Sequence, residues 1–152
     1  MKTIYTVVLI LINLSLTAQT QIGQDIDGEA AWDSSGRSVS LSSNGSIVAI
    51  GAPGNDENGS HSGHVRVFEN QSGTWVQLGD DIDGEAEGNR SGKSVSLSSD
   101  GSIVAIGADI NNGNGDSSGH VRVYENQSGT WTQLGDDING EAAYDFSGTS
   151  VS

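Results

Sequence analysis

Three histidines (His61, His64 and His120), 20 Asp+Glu and 23 Ser are the residues of this 152-residue sequence whose chemistry could be put to use. They suit two kinds of site: serine-based hydrolysis, and cation binding by clustered oxygens. Cysteine is absent, which excludes a thiolate nucleophile, a disulfide framework and a thiolate zinc site. Hydrolysis needs one His and one orienting carboxylate converging on one Ser. His64 and His120 both stand in the run His-Val-Arg-Val, 120 − 64 = 56 residues apart. Arg66 and Arg122 are copies of each other, as are Trp75 and Trp131. A catalytic site is a single constellation, whereas a residue copied at fixed spacing serves architecture or multivalent binding. His61 is uncopied, but it lies in a Ser/Gly/Asn loop with no evident partner. No catalytic residue is assigned, and the chain reads as nonenzymatic.

The carboxylates gather in Asp25-Ile26-Asp27-Gly28-Glu29, which recurs as Asp80-Asp81-Ile82-Asp83-Gly84-Glu85 and as Asp136-Asp137-Ile138-Asn139-Gly140-Glu141. A helix-loop-helix calcium loop places its Gly after the third ligand, as D-x-D-x-D-G. Gly84 follows only Asp81-x-Asp83, so that match fails. The plainer reading is a solvated turn in which Asp and Gly serve the backbone. Asn55-Asp56-Glu57-Asn58 and residues 109–116 are also rich in oxygen, but they differ between copies. No metal ligand is assigned and no cofactor is expected, although the carboxylates leave Ca²⁺ open. The net charge of −14 argues against a phosphate-tracking surface and makes nucleic acid and an anionic membrane poor partners, so no nucleic-acid partner is expected.

These residues must be positioned by a repeat. Gln21 opens QIGQDIDGEA, Gln77 opens QLGDDIDGEA and Gln133 opens QLGDDINGEA, so the period is 77 − 21 = 133 − 77 = 56. Residues 21–76 and 77–132 share 40 identities in 56 positions, and residues 133–152 open a third copy. Each repeat is expected to form four antiparallel strands. The first covers residues 37–43, with Val39 and Leu41 alternating with Ser. Asn44-Gly45, and Asp100-Gly101 in the next copy, suggest two-residue type I′ turns. The second strand covers residues 46–52, the third 64–70, and the fourth runs from Thr74 to about Ile82. Such a meander is one blade of a β-propeller, an all-β fold, and one blade cannot bury both its faces. Propellers use 4–8 blades, so the chain reads as the N-terminal part of a longer array, completed by further blades or by self-association. A β-solenoid is the rival architecture, but the long loops would break its short coils. Residues 1–18, with Lys2 and the apolar run IYTVVLILINLSL, read as a secretory signal cleaved between Ala18 and Thr20. After its removal no segment is expected to insert in a membrane.

Gly36-Arg37-Ser38-Val39 leading to Ile50-Gly51-Ala52-Pro53 resembles the FG-GAP repeat, the blade unit of integrin α-chain heads and of many secreted bacterial propellers. The pattern recurs at Gly92-Lys93-Ser94-Val95 with Ile106-Gly107-Ala108-Asp109, and opens again at Gly148-Thr149-Ser150-Val151. The resemblance implies a propeller fold and an extracellular setting. Calcium-binding members carry an Asp-rich loop between their first two strands; here that loop is Asn44-Gly45 or Asp100-Gly101.

Differences between the copies are clustered. One cluster is Ala31-Trp32-Asp33-Ser34, against Glu87-Gly88-Asn89-Arg90 and Ala143-Tyr144-Asp145-Phe146. The other is residues 53–61 against 109–117. In an up-and-down blade both loops project from one end, opposite the tight hairpin turns. Loops on a rigid scaffold often carry binding. The candidate ligand face therefore holds Trp32, Asp33, Asp56, Asn89, Arg90, Asn112, Tyr144 and Phe146. Its aromatics could stack on sugars or anchor a protein; otherwise they cover neighbouring blades. The sequence thus reads as a noncatalytic, secreted or cell-surface propeller that binds extracellular protein or glycan, in adhesion or as a structural module. The alternative is an accessory part of a larger extracellular enzyme, such as a polysaccharide hydrolase, with its catalytic residues beyond Ser152.

Overall fold

The computed structural model describes residues 19–152, so residues 1–18, where a secretory signal is expected, lie outside the described residues. The described part is all-β, with two antiparallel sheets of five strands each. In the first, β1 (Ser38–Leu41), β2 (Ile47–Ala52), β3 (His64–Gln71) and β4 (Thr74–Gln77) pair in chain order, and β5 (Ile82–Asp83) also pairs with β3. The second repeats the plan with β6 (Ser94–Leu97), β7 (Ile103–Ala108), β8 (His120–Gln127), β9 (Thr130–Gln133) and β10 (Ile138–Asn139). These are meander blades, as the period of 77 − 21 = 56 residues requires.

Two local expectations are corrected. The fourth strand is not continuous to Ile82. Phe68 pairs with Gln77, but Val65 pairs with Ile82, so residues 78–81 stand opposite only Arg66 and Val67. This bulge re-aims the chain and turns Asp81 toward His64. Its cause is Gly79, whose φ of 80° suits glycine and whose missing side chain leaves room for the Trp131 ring of the next repeat. The first hairpin is not a type I′ turn either. That turn needs two positive φ angles, and only Gly45 has one, at 70°. The loop is longer, closed by Ser42 N donating to Ile47 O at 2.9 Å. Asn44 Oδ1 organises it, accepting from Ser42 Oγ, Ser46 N and Ser46 Oγ at 2.9, 3.0 and 2.8 Å.

The blades stack through one apolar layer. Ala49, Val65, Val67 and Ile82 of the first blade meet Val95, Val104, Ile106 and Tyr124 of the second, with Leu78 and Trp131 packed against them. Ridge and groove are fixed by glycine. A Cβ on Gly51 would overlap the Gly92 carbonyl, which instead accepts Ser38 Oγ at 2.8 Å. Ser94 Oγ donates to Gly148 O at the same 2.8 Å, so the Gly-x-Ser and Gly-Ala motifs bolt each blade to the next. Trp131 Nε1 adds a bond to Leu78 O, and Trp75 Nε1 one to Ile22 O, each across a blade boundary. Identical residues differ in burial according to their neighbours. Val95 is 7% exposed beneath the first blade, while its counterpart Val39 is 55% exposed. On the opposite face Val121 and Val123 are half-buried, where Val65 and Val67 are fully buried.

Candidate functional site

The two variable loop clusters do lie side by side. Gly88 N donates to Ser60 O, Arg90 N to His61 O and Ser91 N to Ser62 O, at 2.8, 3.0 and 2.9 Å. These bonds align the β2–β3 loop with the linker that enters the second blade. Gly54 N donates to Asp33 O at 3.0 Å and ties in the first cluster. Between the loops is an open cleft of about 280 Å³ lined by Trp32, Ser34, Arg37, Pro53, Gly54, His61, Arg90 and Lys93.

The charge of this cleft is opposite to that of the molecule. The described residues contain five Arg or Lys: Arg37, Arg66, Arg90, Lys93 and Arg122. Arg66 and Arg122 are buried in β3 and β8. The other three all line the cleft. Lys93 Nζ reaches Asp109 at 3.6 Å; among the described residues, no carboxylate pairs with Arg37 or Arg90. The next junction lacks this set, because Pro53, His61, Arg90 and Lys93 become Asp109, Ser117, Phe146 and Thr149.

Backbone strain marks the same loops. Trp32 (φ 78°) and Tyr144 (φ 66°) hold the left-handed conformation, at a position where the intervening copy has Gly88 (φ 80°). Ser34, Arg90 and Phe146, also copies of one position, have φ of 58, 57 and 51°. Bulky side chains disfavour this region by roughly 1–2 kcal/mol, and such strain collects at functional sites. Trp32 is 92% exposed, so little packing offsets that strain.

Below the loops, each blade has a second polar cluster. His64, at 1% exposure, points Nδ1 at Asp81 Oδ2 (3.3 Å) and Glu29 Oε2 (3.7 Å). Arg66 Nη1 lies 3.5 Å from Glu29 Oε1, and Arg66 Nη2 donates to Asp27 O. The second blade repeats this: His120 Nδ1 lies 3.6 Å from Asp137 and 3.9 Å from Glu85, with Arg122 Nη2 donating to Asp83 O. Burial and then the Arg122 charge hold the His120 pKa below the ordinary histidine value, against the pull of Asp137 and Glu85. Burial, then Glu57 and Asp81, push Asp83 above the usual carboxylate range.

Residues 26–68 match the family model of the FG-GAP repeat. That stretch, which spans the first blade up to β3, is similar to an FG-GAP repeat. No curated protein matches the chain. FG-GAP repeats are β-propeller-type modules that are generally noncatalytic and typically occur in extracellular or surface proteins. In this chain Ser38 and Gly51 of the matched stretch, with Gly92 of the next repeat, form the blade-to-blade contact, and so account for stacking rather than for chemistry.

The residues expected on the ligand face divide into two groups. Trp32, Arg90, Tyr144 and Phe146 are exposed on the variable loops. Tyr144 and Phe146 form a tilted pair with ring centroids 6.5 Å apart, and the Tyr144 hydroxyl donates to Asp116 at 2.8 Å. That hydrogen bond raises the Tyr144 pKa above the usual tyrosine value. Asp33 and Asn89 are buried; Asp33 Oδ2 accepts from Asn55 Nδ2 and Ala30 N, bracing the loop. Asp56 and its copy Asn112 are exposed, and each accepts a loop amide, from His61 and from Ser117. Arg37, His61, Pro53 and Lys93 were absent from the expected face. Setting aside Lys2 and the two copied Arg residues would have found the three cations, since the rest lie in or beside the variable clusters.

Proposed function

We propose that this chain is a noncatalytic, secreted or cell-surface module that binds an acidic polysaccharide through its variable loop face. One observation carries the reading: every Arg and Lys of the described residues that is not in a copied strand lines one uncopied cleft beside Trp32. Arginine pairs with planar carboxylates or sulfates through two parallel hydrogen bonds, and an indole face packs against a sugar ring. A polymer crossing the face would also meet Tyr144 and Phe146, whose loop occupies the same register in the third copy. The molecule's overall negative charge then selects for ligands whose anionic groups fit this cleft and repels polyanions elsewhere. The exposed Val39 and Leu41 on one side, and Val121 and Val123 on the other, would take further blades or a second copy of the chain.

Titration of the chain with a polyuronate, a sulfated polysaccharide, a neutral glucan and a poly-glutamate peptide tests this. The expected result is saturable binding to an anionic polysaccharide, without turnover and weakening as salt rises. Equal binding to the neutral glucan, or preference for the acidic peptide, would overturn the glycan assignment.

A further inference from the structure

We propose that the His64 cluster is a divalent transition-metal site of the zinc class. The proposed ligands are His64 Nδ1, Asp81, Glu29 and Glu57, with a weaker copy at His120, Asp137 and Glu85. The ligand atoms in each group lie within 4.8 Å of one another. The imidazole supplies the independent observation. His64 Nδ1 and His120 Nδ1 are both buried without a hydrogen-bond partner, and both aim into the carboxylates. A buried ring nitrogen left unpaired is unfavourable by about 1–3 kcal/mol, and here it recurs at the same place in both blades.

The geometry suits a small four-coordinate ion. Zinc ligands sit about 2.0–2.2 Å from the metal, which places tetrahedral donor atoms roughly 3.3–3.5 Å apart. His64 Nδ1 is 3.3 Å from Asp81 Oδ2 and 3.7 Å from Glu29 Oε2. Mixed imidazole and carboxylate donors favour zinc over calcium, which prefers six to eight oxygens. Charge also balances: three carboxylates and Arg66 sum to −3 + 1 = −2, which a divalent ion neutralises. Glu29 can offer one oxygen to the ion while Arg66 Nη1 holds the other at 3.5 Å, the outer-partner arrangement that orients metal ligands. The bulge at residues 78–81 gains a purpose, since it delivers Asp81 to the ring. The ion would staple the segment carrying Glu29 to the blade. At the second junction Glu57 is replaced by Gly113, so that site has one donor fewer.

The test is ZnCl₂ titration of the chelator-stripped chain by calorimetry, with CaCl₂ in parallel and the imidazole ¹⁵N resonances followed by NMR. The expected result is two zinc equivalents of unequal affinity, with the Nδ1 resonances of His64 and His120 moving and that of His61 unmoved. Glu57→Gln should weaken the tighter site tenfold or more toward the weaker one. Failure to take up zinc, uptake that leaves the Nδ1 resonances of His64 and His120 unmoved, or calcium binding of equal strength would each overturn the proposal. The resonances are read in the unmutated chain, so the result does not depend on a variant that folds.

Discussion

Position 64 and position 34 of the repeat behave in opposite ways along the chain. The first holds His in both copies, buried to 1% and surrounded by the same Asp, Glu and Arg partners. The second holds Ser34, Arg90 and then Phe146, all in the same left-handed conformation and none of them buried. The backbone is common to the copies; only the side chain displayed on it changes. Repetition therefore builds the stack, and departure from repetition builds a cleft that the next junction does not repeat. The difference lies in what the neighbours demand. A residue between blades must fit the next copy of itself, whereas a loop residue answers only to solvent and ligand.

The largest expected effect falls on the repeated side. Trp131→Ala removes an indole packed against the interblade core and its bond to Leu78 O, and should destabilise the fold by about 3 kcal/mol. Measured by urea midpoint, Trp75→Ala should be milder, because its ring packs on only a small cluster near Ile26. Trp32→Ala should be milder still. Equal effects at all three positions would erase the distinction between junction and loop. Next comes the cleft: Arg37→Ala with Arg90→Ala should weaken acidic-polysaccharide binding by about 10–100-fold, since each hydrogen bond made in an open, solvated cleft contributes a net of roughly 0.5–1.5 kcal/mol. Melting should hardly change, as both side chains are exposed.

Trp32→Gly sharpens the comparison by moving one copy toward another. It installs the residue found at Gly88, whose φ is nearly the same. Stability should rise by about 1 kcal/mol while ligand affinity falls. A loss of stability would mean that Trp32 packs in the fold rather than facing a ligand. The smallest effect is in the opposite hairpin turn. Asp100 accepts from Ser98 Oγ, Ser102 N and Ser102 Oγ, and these bonds lower its pKa to about 2. Its stabilising contribution is present above the unfolded carboxylate pKa and is lost as pH falls from about 4 to about 2. Asp100→Asn copies Asn44, which makes the same three bonds, so the variant should lose that acid-limb slope and keep its stability at neutral pH. Carboxyl NMR titration of Asp100 and acid-limb melting of both forms check this.

Much of the fold was legible because the repeat announces itself: strand positions follow from Val39 and Leu41 alternating with Ser, and from the apolar run ending at Ala52. The broken fourth strand was not, because the bulge depends on Trp131 seated over Gly79, a contact 131 − 79 = 52 residues away. The hairpin turn misled for a local reason, since an Asn-Gly pair also fits a longer loop in which the Asn side chain caps the backbone. The loop face could be found by comparing copies, which singled out Trp32, Arg90, Tyr144 and Phe146. Comparison of copies could not say that Asp33 turns inward, nor that Arg37 and Lys93, which substitute for each other at one position, converge on the same cleft from adjacent blades. The His64 cluster was hidden because Glu29, Glu57 and Asp81 come from three separate segments, and only the register of the bulge unites them.

The most direct test is calorimetric titration of a polyuronate into the chain and into its Arg37→Ala/Arg90→Ala form, with the thermal melt of each recorded alongside. The account predicts saturable binding to the first, binding reduced at least tenfold in the second, and coincident melts. Undiminished binding by a variant that melts like the parent would place the ligand elsewhere and contradict the division between a repeated scaffold and a single site.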